Sequence, residues 1–413
     1  MAEESRKNIS SKNFIPHNEY FLVRRDLTIV SSKGEKLSYS EFIEKLHKLL
    51  KEKQTVVIDE FQRLPEEFVD EVSLLHPSGR LILLGSSLRI IYKVFSPKSP
   101  LLGLVSTYRL ELVKPADILV YLSKILDPVH AVELAPVMRE PWLLKYLTAY
   151  KGDTVALLYE IIKLNIYTIK SLVGEIFTEE ERELTARYEA ILTAVASGNW
   201  NTKQITSILF NKGLVDRPDI GLVRQYIINL IEMNLLESTP IINKREKYIK
   251  IASPIIDLYY YLNDKYNIEE ENLPPLSEIK DSIKTKLSLY IQDYIAKLFS
   301  QIHEAKTNYY ITSTLEIDFI LTKKRKTLAL AEVKWRTKPS AKAIKTFLQK
   351  TSKIQAEKRI LITKTKPHKK TKNIKIYTPT DLIKEAEKHI QKTCGQAALS
   401  KLQTIQAPSQ QKL

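Results

Sequence analysis

Leu315-Glu-Ile-Asp-Phe-Ile-Leu-Thr-Lys-Lys-Arg-Lys-Thr-Leu-Ala-Leu-Ala-Glu-Val-Lys-Trp335 sets two β-prone runs on either side of a cationic turn. Folded as an antiparallel hairpin about Arg325, it places Asp318 opposite Glu332 and Glu316 opposite Lys334. The two-residue period of a strand puts these four on one face, with Ile317, Phe319, Ala331 and Val333 on the other. Opposed Cβ atoms in such a ladder lie roughly 4.5–5.5 Å apart, so two carboxylates repel unless a proton or cation sits between them. A divalent metal meets that demand. Asp318, Glu332 and Lys334 are therefore the candidate catalytic residues, with Asp318 and Glu332 as metal ligands and Mg²⁺ as the expected cofactor. Such a group can acidify a water and aim it at a phosphodiester. The plainer alternative is a solvated surface ladder in which Glu316 and Lys334 form a salt bridge.

The hairpin sits in a small α/β module, expected over residues 277–393. Strands are predicted at 309–312, 315–321, 327–335, 359–363 and 374–377, and helices at 287–302, 341–356 and 380–393. Residues 301–413 hold 25 Lys+Arg against 8 Asp+Glu, so they account for the whole net charge of +16. That asymmetry suggests that this module faces a polyanion, DNA being the expected partner. The loop Lys364-Thr-Lys-Pro-His-Lys-Lys-Thr-Lys372 offers Lys369 and Lys370 for phosphate contact. Residues 394–413, rich in Gln and Ser, read as a disordered tail. Asp318 followed by Glu332-Val-Lys334 resembles the PD-(D/E)XK nuclease-like fold. That likeness implies metal-dependent phosphodiester cleavage. It also leads one to expect an acid on the preceding helix, where this chain has Gln292 and, one step off the face, Asp293.

Upstream, residues 181–265 suggest three helices and a hairpin. Helices are predicted at 183–196, 203–210 (capped by Thr202) and 222–233, with strands at 235–237 and 248–251. This order resembles a winged helix, in which the last helix enters the major groove and the wing touches the backbone. Arg224 and Gln225 on that helix, with Lys244, Arg245 and Lys247 in the wing, are the nucleic-acid candidates. Residues 271–276 read as a linker. Residues 116–180 form a helical lid region with breaks at Pro128, Pro136 and Pro141.

Residues 1–115 alternate strand and helix. Thr55-Val-Val-Ile-Asp-Glu60 and Arg80-Leu-Ile-Leu-Leu-Gly-Ser-Ser87 are continuous apolar runs, as in parallel strands covered on both faces. They imply a doubly wound sheet, with ligands beyond the strand ends. Asp59 and Glu60 at such an end can hold Mg²⁺ and orient a water, while Ser86 can sense a phosphate. Residues 55–64, 81–87 and 95–103 together resemble the Walker B strand, sensor strand and following segment of the archaeal P-loop ATPase family, an AAA+-like, STAND-related clade. Membership implies ATP binding, a winged helix and a C-terminal nuclease-like domain. The phosphate loop should precede Tyr20, where only Lys12 and Asn13 are available in place of its Lys and hydroxyl residue. No G-x-x-x-x-G-K-[ST] occurs among the 10 glycines. Leu104 stands where the family usually has arginine, with Arg109 nearby.

The overall reading is a multidomain α/β protein: a degenerate parallel-sheet P-loop ATPase-like domain, a winged helix and a PD-(D/E)XK nuclease-like domain. The single cysteine, Cys394, excludes a disulfide framework and a cysteine-built zinc site. No apolar run approaches the ~20 residues of a membrane span, and Met1-Ala-Glu-Glu-Ser5 is no apolar leader. A cytoplasmic location without membrane contact is expected, and a homo-oligomer is compatible with the composition. The expected function is Mg²⁺-dependent cleavage or binding of nucleic acid. An ATPase and a non-catalytic DNA-binding regulator are the alternatives.

Overall fold

The computed structural model describes residues 17–74, 79–85, 99–108, 110–180, 184–242, 244–312, 315–335, 341–352, 354–366 and 373–404. The chain forms two compact units, residues 1–110 with 175–182 and residues 111–174 with 183–413. It is a multidomain α/β protein with two mixed sheets and a helical region.

The first unit runs β1 (Glu19–Val23), β2 (Ile29–Ser31), β3 (Lys36–Leu37), α1 (Tyr39–Lys51), β4 (Thr55–Asp59), α2 (Glu67–Leu74) and β5 (Arg80–Leu84). Its sheet has the order β3-β2-β1-β4-β5. The predicted parallel core is present as β1, β4 and β5. The remainder differs, because the chain turns back after β1 and adds β2 and β3 antiparallel. Leu27 takes the left-handed conformation (φ 62°) that the reversal needs, and Asp26 accepts the Thr28 N–H at 3.0 Å to close it. Ser38 caps α1 in a capping box with Glu41. Phe42, Leu46 and Leu50 of α1 are buried with Phe21, Val56 and Ile58 of the sheet. Gly85, just beyond β5, passes so close to the turn after β4 that a Cβ there would lie 2.8 Å from Gln62 Oε1 and 2.9 Å from Phe61 Cε1.

The second unit begins with α3 (Pro115–Leu122), α4 (Pro128–Met138), a 3-10 segment (Pro141–Ala149) and α5 (Thr154–Glu180), whose residues from Glu175 on belong to the first unit. Asp127 caps α4 and Pro128 occupies its first turn. Pro136 does not break the chain as expected but lies buried inside α4. Next come α6 (Thr185–Ala196), α7 (Thr202–Asn211), α8 (Ile220–Glu232), β6 (Leu236–Pro240) and β7 (Lys247–Ile251). These are three helices and an antiparallel hairpin in the order read from the sequence. Asn201, rather than Thr202, caps α7 by accepting the Gln204 N–H.

After α9 (Pro254–Tyr266), α10 runs from Leu276 to His303. It begins well before the predicted residue 287. Its first part carries Lys280, Asp281 and Lys284 on one side, while Ile279, Ile283 and Lys286 are buried on the other. The Lys286 ammonium pairs with Asp257 of α9 at 2.6 Å and donates to the Ala196 carbonyl at the end of α6. The last elements are β8 (Lys306–Ile311), β9 (Glu316–Lys323), β10 (Lys326–Lys334), α11 (Ala341–Thr351), β11 (Lys358–Thr363), β12 (Lys375–Tyr377) and α12 (Pro379–Thr404). They build a second sheet of order β12-β11-β10-β9-β8. α12 continues through Thr404, into the stretch read as a tail, because its Gln, Ala, Leu and Lys residues are strong helix formers. No helix among the described residues is long and apolar enough to cross a membrane.

Candidate active site

The site is created by the β9–β10 hairpin. Lys324 and Arg325 both have positive φ (48° and 67°), so the turn is a tight two-residue reversal. Next to the turn, Lys326 pairs with Lys323 and Thr327 with Thr322. A bulge then shifts the register, and Ala329, Leu330 and Ala331 pair with Leu321, Ile320 and Phe319. A turn centred half a residue early and a bulge of one residue together give the register that pairing about Arg325 predicts. One more step brings Asp318 level with Glu332. There the ladder stops, and the Val333 N–H donates to Asp318 Oδ2 at 2.7 Å instead of to a strand carbonyl.

Glu332 is buried, with its side chain 6% exposed. Its Oε1 receives the Lys334 ammonium at 2.6 Å. Its Oε2 is buried without a hydrogen-bond partner among the described residues. Burial, and then the neighbouring Glu332 carboxylate, push the Asp318 carboxyl up to about 7, against the Val333 N–H and the Lys334 charge. A buried and a half-buried acid with one orphaned oxygen carry unmet negative charge. Lys334 is 39% exposed, so the ammonium end of the group opens to solvent while the carboxylates lie deeper.

Glu316 is the first residue of β9 and pairs with Ile311 of β8. The predicted opposition of Glu316 and Lys334 is absent because the β9–β10 ladder ends first; Lys334 turns to Glu332 two residues away. The helix preceding the sheet supplies no third acid. Asp293 of α10 forms ion pairs with Lys250 and, at 2.9 Å, Lys297. Glu237 of β6 joins the same group, 2.6 Å from Lys297. Among the described residues no cluster of three His, Cys, Asp or Glu side chains could hold a metal. The pair at Asp318 and Glu332 therefore offers two protein carboxylates and leaves the other positions of any bound cation to water and substrate. That arrangement suits Mg²⁺, which keeps several waters.

Tyr309 has no counterpart in the sequence reading. It sits at the bulge where β8 meets β9, buried, and burial followed by Tyr248, Glu237, Asp318 and Glu316 pushes its hydroxyl pKa up. A neutral phenol is thus fixed near the acids, a placement decided by a bulge that no residue pattern announces.

The other candidates are placed differently. Asp59 closes β4 and Glu60 follows it in a left-handed conformation (φ 59°). Asp59 accepts the Tyr20 hydroxyl at 2.5 Å and the Glu60 N–H at 3.0 Å. Glu60 accepts from the Gln62 amide at 2.6 Å and pairs with Arg63 at 3.3 Å. Lys12, Asn13, Ser86, Arg109, His368, Lys369 and Lys370 lie outside the described residues. Arg224 of α8 and Arg245 and Lys247 of the hairpin face one another across a groove. Gln225 hydrogen-bonds Asn229 on the same helix. Lys244 is exposed in the connection between β6 and β7.

Residues 288–383 match the family described as "Domain of unknown function (DUF4143)", a domain found in archaeal ATPase-family proteins. The match spans the later part of α10, the whole second sheet and the start of α12, and so contains Asp318, Glu332 and Lys334. None of the curated proteins matches the chain.

Proposed function

We propose that the second sheet is the catalytic module of a Mg²⁺-dependent enzyme that cleaves phosphodiester bonds in nucleic acid, with DNA the expected substrate. One observation carries this reading: half-buried Asp318 meets buried Glu332, which has one oxygen unpartnered among the described residues and the Lys334 ammonium on the other. Mutual repulsion and burial disfavour that pair as a purely structural element, and a divalent cation relieves both.

Each residue then has a distinct task. Asp318 and Glu332 Oε2 would hold the cation, and the Val333 N–H restrains the Asp318 carboxylate. Lys334, anchored on Glu332 Oε1, has its ammonium where a phosphate oxygen would enter from solvent. A cation bound there supplies positive charge that polarises the phosphodiester and lowers the pKa of water. The excess of Lys and Arg in residues 301–413 supports attraction of a polyanion to this module.

The test is incubation of the full chain with plasmid, linear duplex and single-stranded DNA in Mg²⁺ or Mn²⁺. Cleavage is expected to need the cation and to fall by about two orders of magnitude or more in Asp318→Ala and Lys334→Ala. Cutting that survives both substitutions refutes the site. Intact DNA in all metals, beside cation-independent binding, would instead favour a non-catalytic nucleic-acid-binding role.

A further inference from the structure

The groove between α8 and the β6–β7 hairpin has a different chemistry from a nucleic-acid surface. It encloses about 330 Å³, and its floor is formed by Ile220, Ile227, Ile228, Ile231 and Ile249. Lys203 of α7, Arg224 of α8, and Arg245 and Lys247 of the hairpin stand around it, with Glu246 the one acid among the lining residues. All four cations are exposed, and none forms an ion pair among the described residues. The apolar lining reaches solvent at one end, for Ile220 at the start of α8 is 46% exposed.

The hairpin wall is held in place. Ile241, just past β6, bridges to Tyr309 of β8, and the Ile242 N–H donates to the Tyr309 carbonyl at 2.9 Å. Behind it, Lys250 of β7 is sandwiched between Glu237 and Asp293. The groove is thus preformed and needs no closure to exist.

We propose that this groove binds an acidic peptide segment of a partner protein, one that inserts bulky apolar side chains between α8 and the hairpin. Five isoleucines offer no donor or acceptor to base edges. They are matched by leucine-like side chains, whose burial stabilises a complex by about 25 cal/mol per Å². The cations stand on three different elements around the floor, so they complement several carboxylates spaced along a chain better than one compact anion. This inference does not rest on the reading of the carboxylate site.

The experiment is fluorescence anisotropy with the full chain, without divalent metal. The probe is a short fluorescein-labelled Glu-rich peptide with two central leucines. One control peptide has serines for the leucines, and another has lysines for the glutamates. Saturable binding is expected for the first peptide alone, weakened about tenfold, or ~1.4 kcal/mol, by either Ile228→Asp or Arg245→Glu. Arg245 is exposed, so Arg245→Glu keeps the test meaningful if Ile228→Asp perturbs the fold. No saturable binding, or equal binding of the serine control, overturns the proposal. So does binding indifferent to both substitutions. Displacement of the peptide by duplex DNA whose own affinity falls in both variants would make DNA the occupant and overturn it as well.

Discussion

Both sheets of this protein carry a buried acid near the end of an apolar strand, yet the two acids live in opposite circumstances. At the end of β4, Asp59 takes a tyrosine hydroxyl and a backbone N–H, and Glu60 takes an amide and a guanidinium. Those donors are supplied by Tyr20, Gln62 and Arg63, so the negative charge is met from within the fold. At the β9–β10 hairpin, Asp318 has one backbone N–H and Glu332 one ammonium, while Glu332 Oε2 has no partner among the described residues. Burial alone does not distinguish a site from a structural acid; the count of donors around it does. A carboxylate left under-satisfied inside a fold is where an external cation is worth most.

The comparison breaks most decisively on cleavage. Asp318→Asn should lower metal-dependent DNA cutting by about two orders of magnitude or more, whereas Asp59→Asn should leave it within about twofold. Equal losses in both variants would erase the distinction. Loss confined to Asp59→Asn would move the chemistry to the first unit.

The next effect is on metal affinity. The proton held by Asp318 up to about pH 7 must leave before a cation binds. Mg²⁺ or Mn²⁺ affinity should therefore fall about tenfold for each pH unit below 7 and level off above it. Calorimetric titration between pH 5.5 and 8.5 reads the slope, and Asp318→Asn should flatten it as well as weaken binding. A pH-independent affinity in the native chain would mean that the acids do not share their charge as the geometry requires.

Stability sharpens the same contrast in sign. The folded pKa of Asp318 is raised above its unfolded value of 3.8, so the metal-free folded state binds the proton more tightly than the unfolded chain does. Stability from this group declines as pH rises from about 4 through about 7, and the ionised form remains costly above that. Asp318→Asn removes the cost and keeps an acceptor for the Val333 N–H, so at pH 8 without metal it should gain on the order of 2 kcal/mol. Asp59→Asn should lose on the order of 1–3 kcal/mol, because an amide cannot replace both oxygens as acceptors. Urea denaturation in chelator measures both. A destabilised Asp318→Asn would show that the pair is a structural element after all.

These contrasts were unequally legible in the sequence. The alternation in residues 315–335 predicts the strands, the shared face and the level pairing of Asp318 with Glu332. The same alternation misses that the ladder ends at Ala331, because the divergence of β9 from β10 depends on how β8 and β11 hold each strand. Glu316 therefore pairs with Ile311 of β8 rather than standing opposite Lys334. Asp293 looked like a displaced ligand, but its charge is absorbed by Lys250, a contact between residues far apart in sequence. In the first unit, the strand ends were readable as apolar runs. That Tyr20 would reach Asp59 was not, since the parallel pairing of β1 with β4 brings them together. The hairpin after α8 resembles a wing, and no residue pattern announces that it docks on β8 through the Ile241 bridge, the Ile242 hydrogen bond and the Tyr248 ring at Tyr309.

The smallest expected effect tests the other half of the comparison. Tyr20 is 4% exposed, and among the described residues its hydroxyl is the one side-chain donor to Asp59 Oδ2. Tyr20→Phe keeps the ring in the same space and removes only that donor, leaving a buried carboxylate oxygen to be solvated by rearrangement. The loss should be about 1–2 kcal/mol in urea denaturation, with no change in DNA cleavage or in metal affinity. If instead the variant is as stable as the native chain, Asp59 has other means of satisfying its charge. If it also gains affinity for Mg²⁺, the tyrosine has been masking a metal-binding acid, and the first sheet would hold a latent site of the same kind as the second. The donor count would then still be the deciding quantity, since one hydroxyl would separate a structural acid from a ligand.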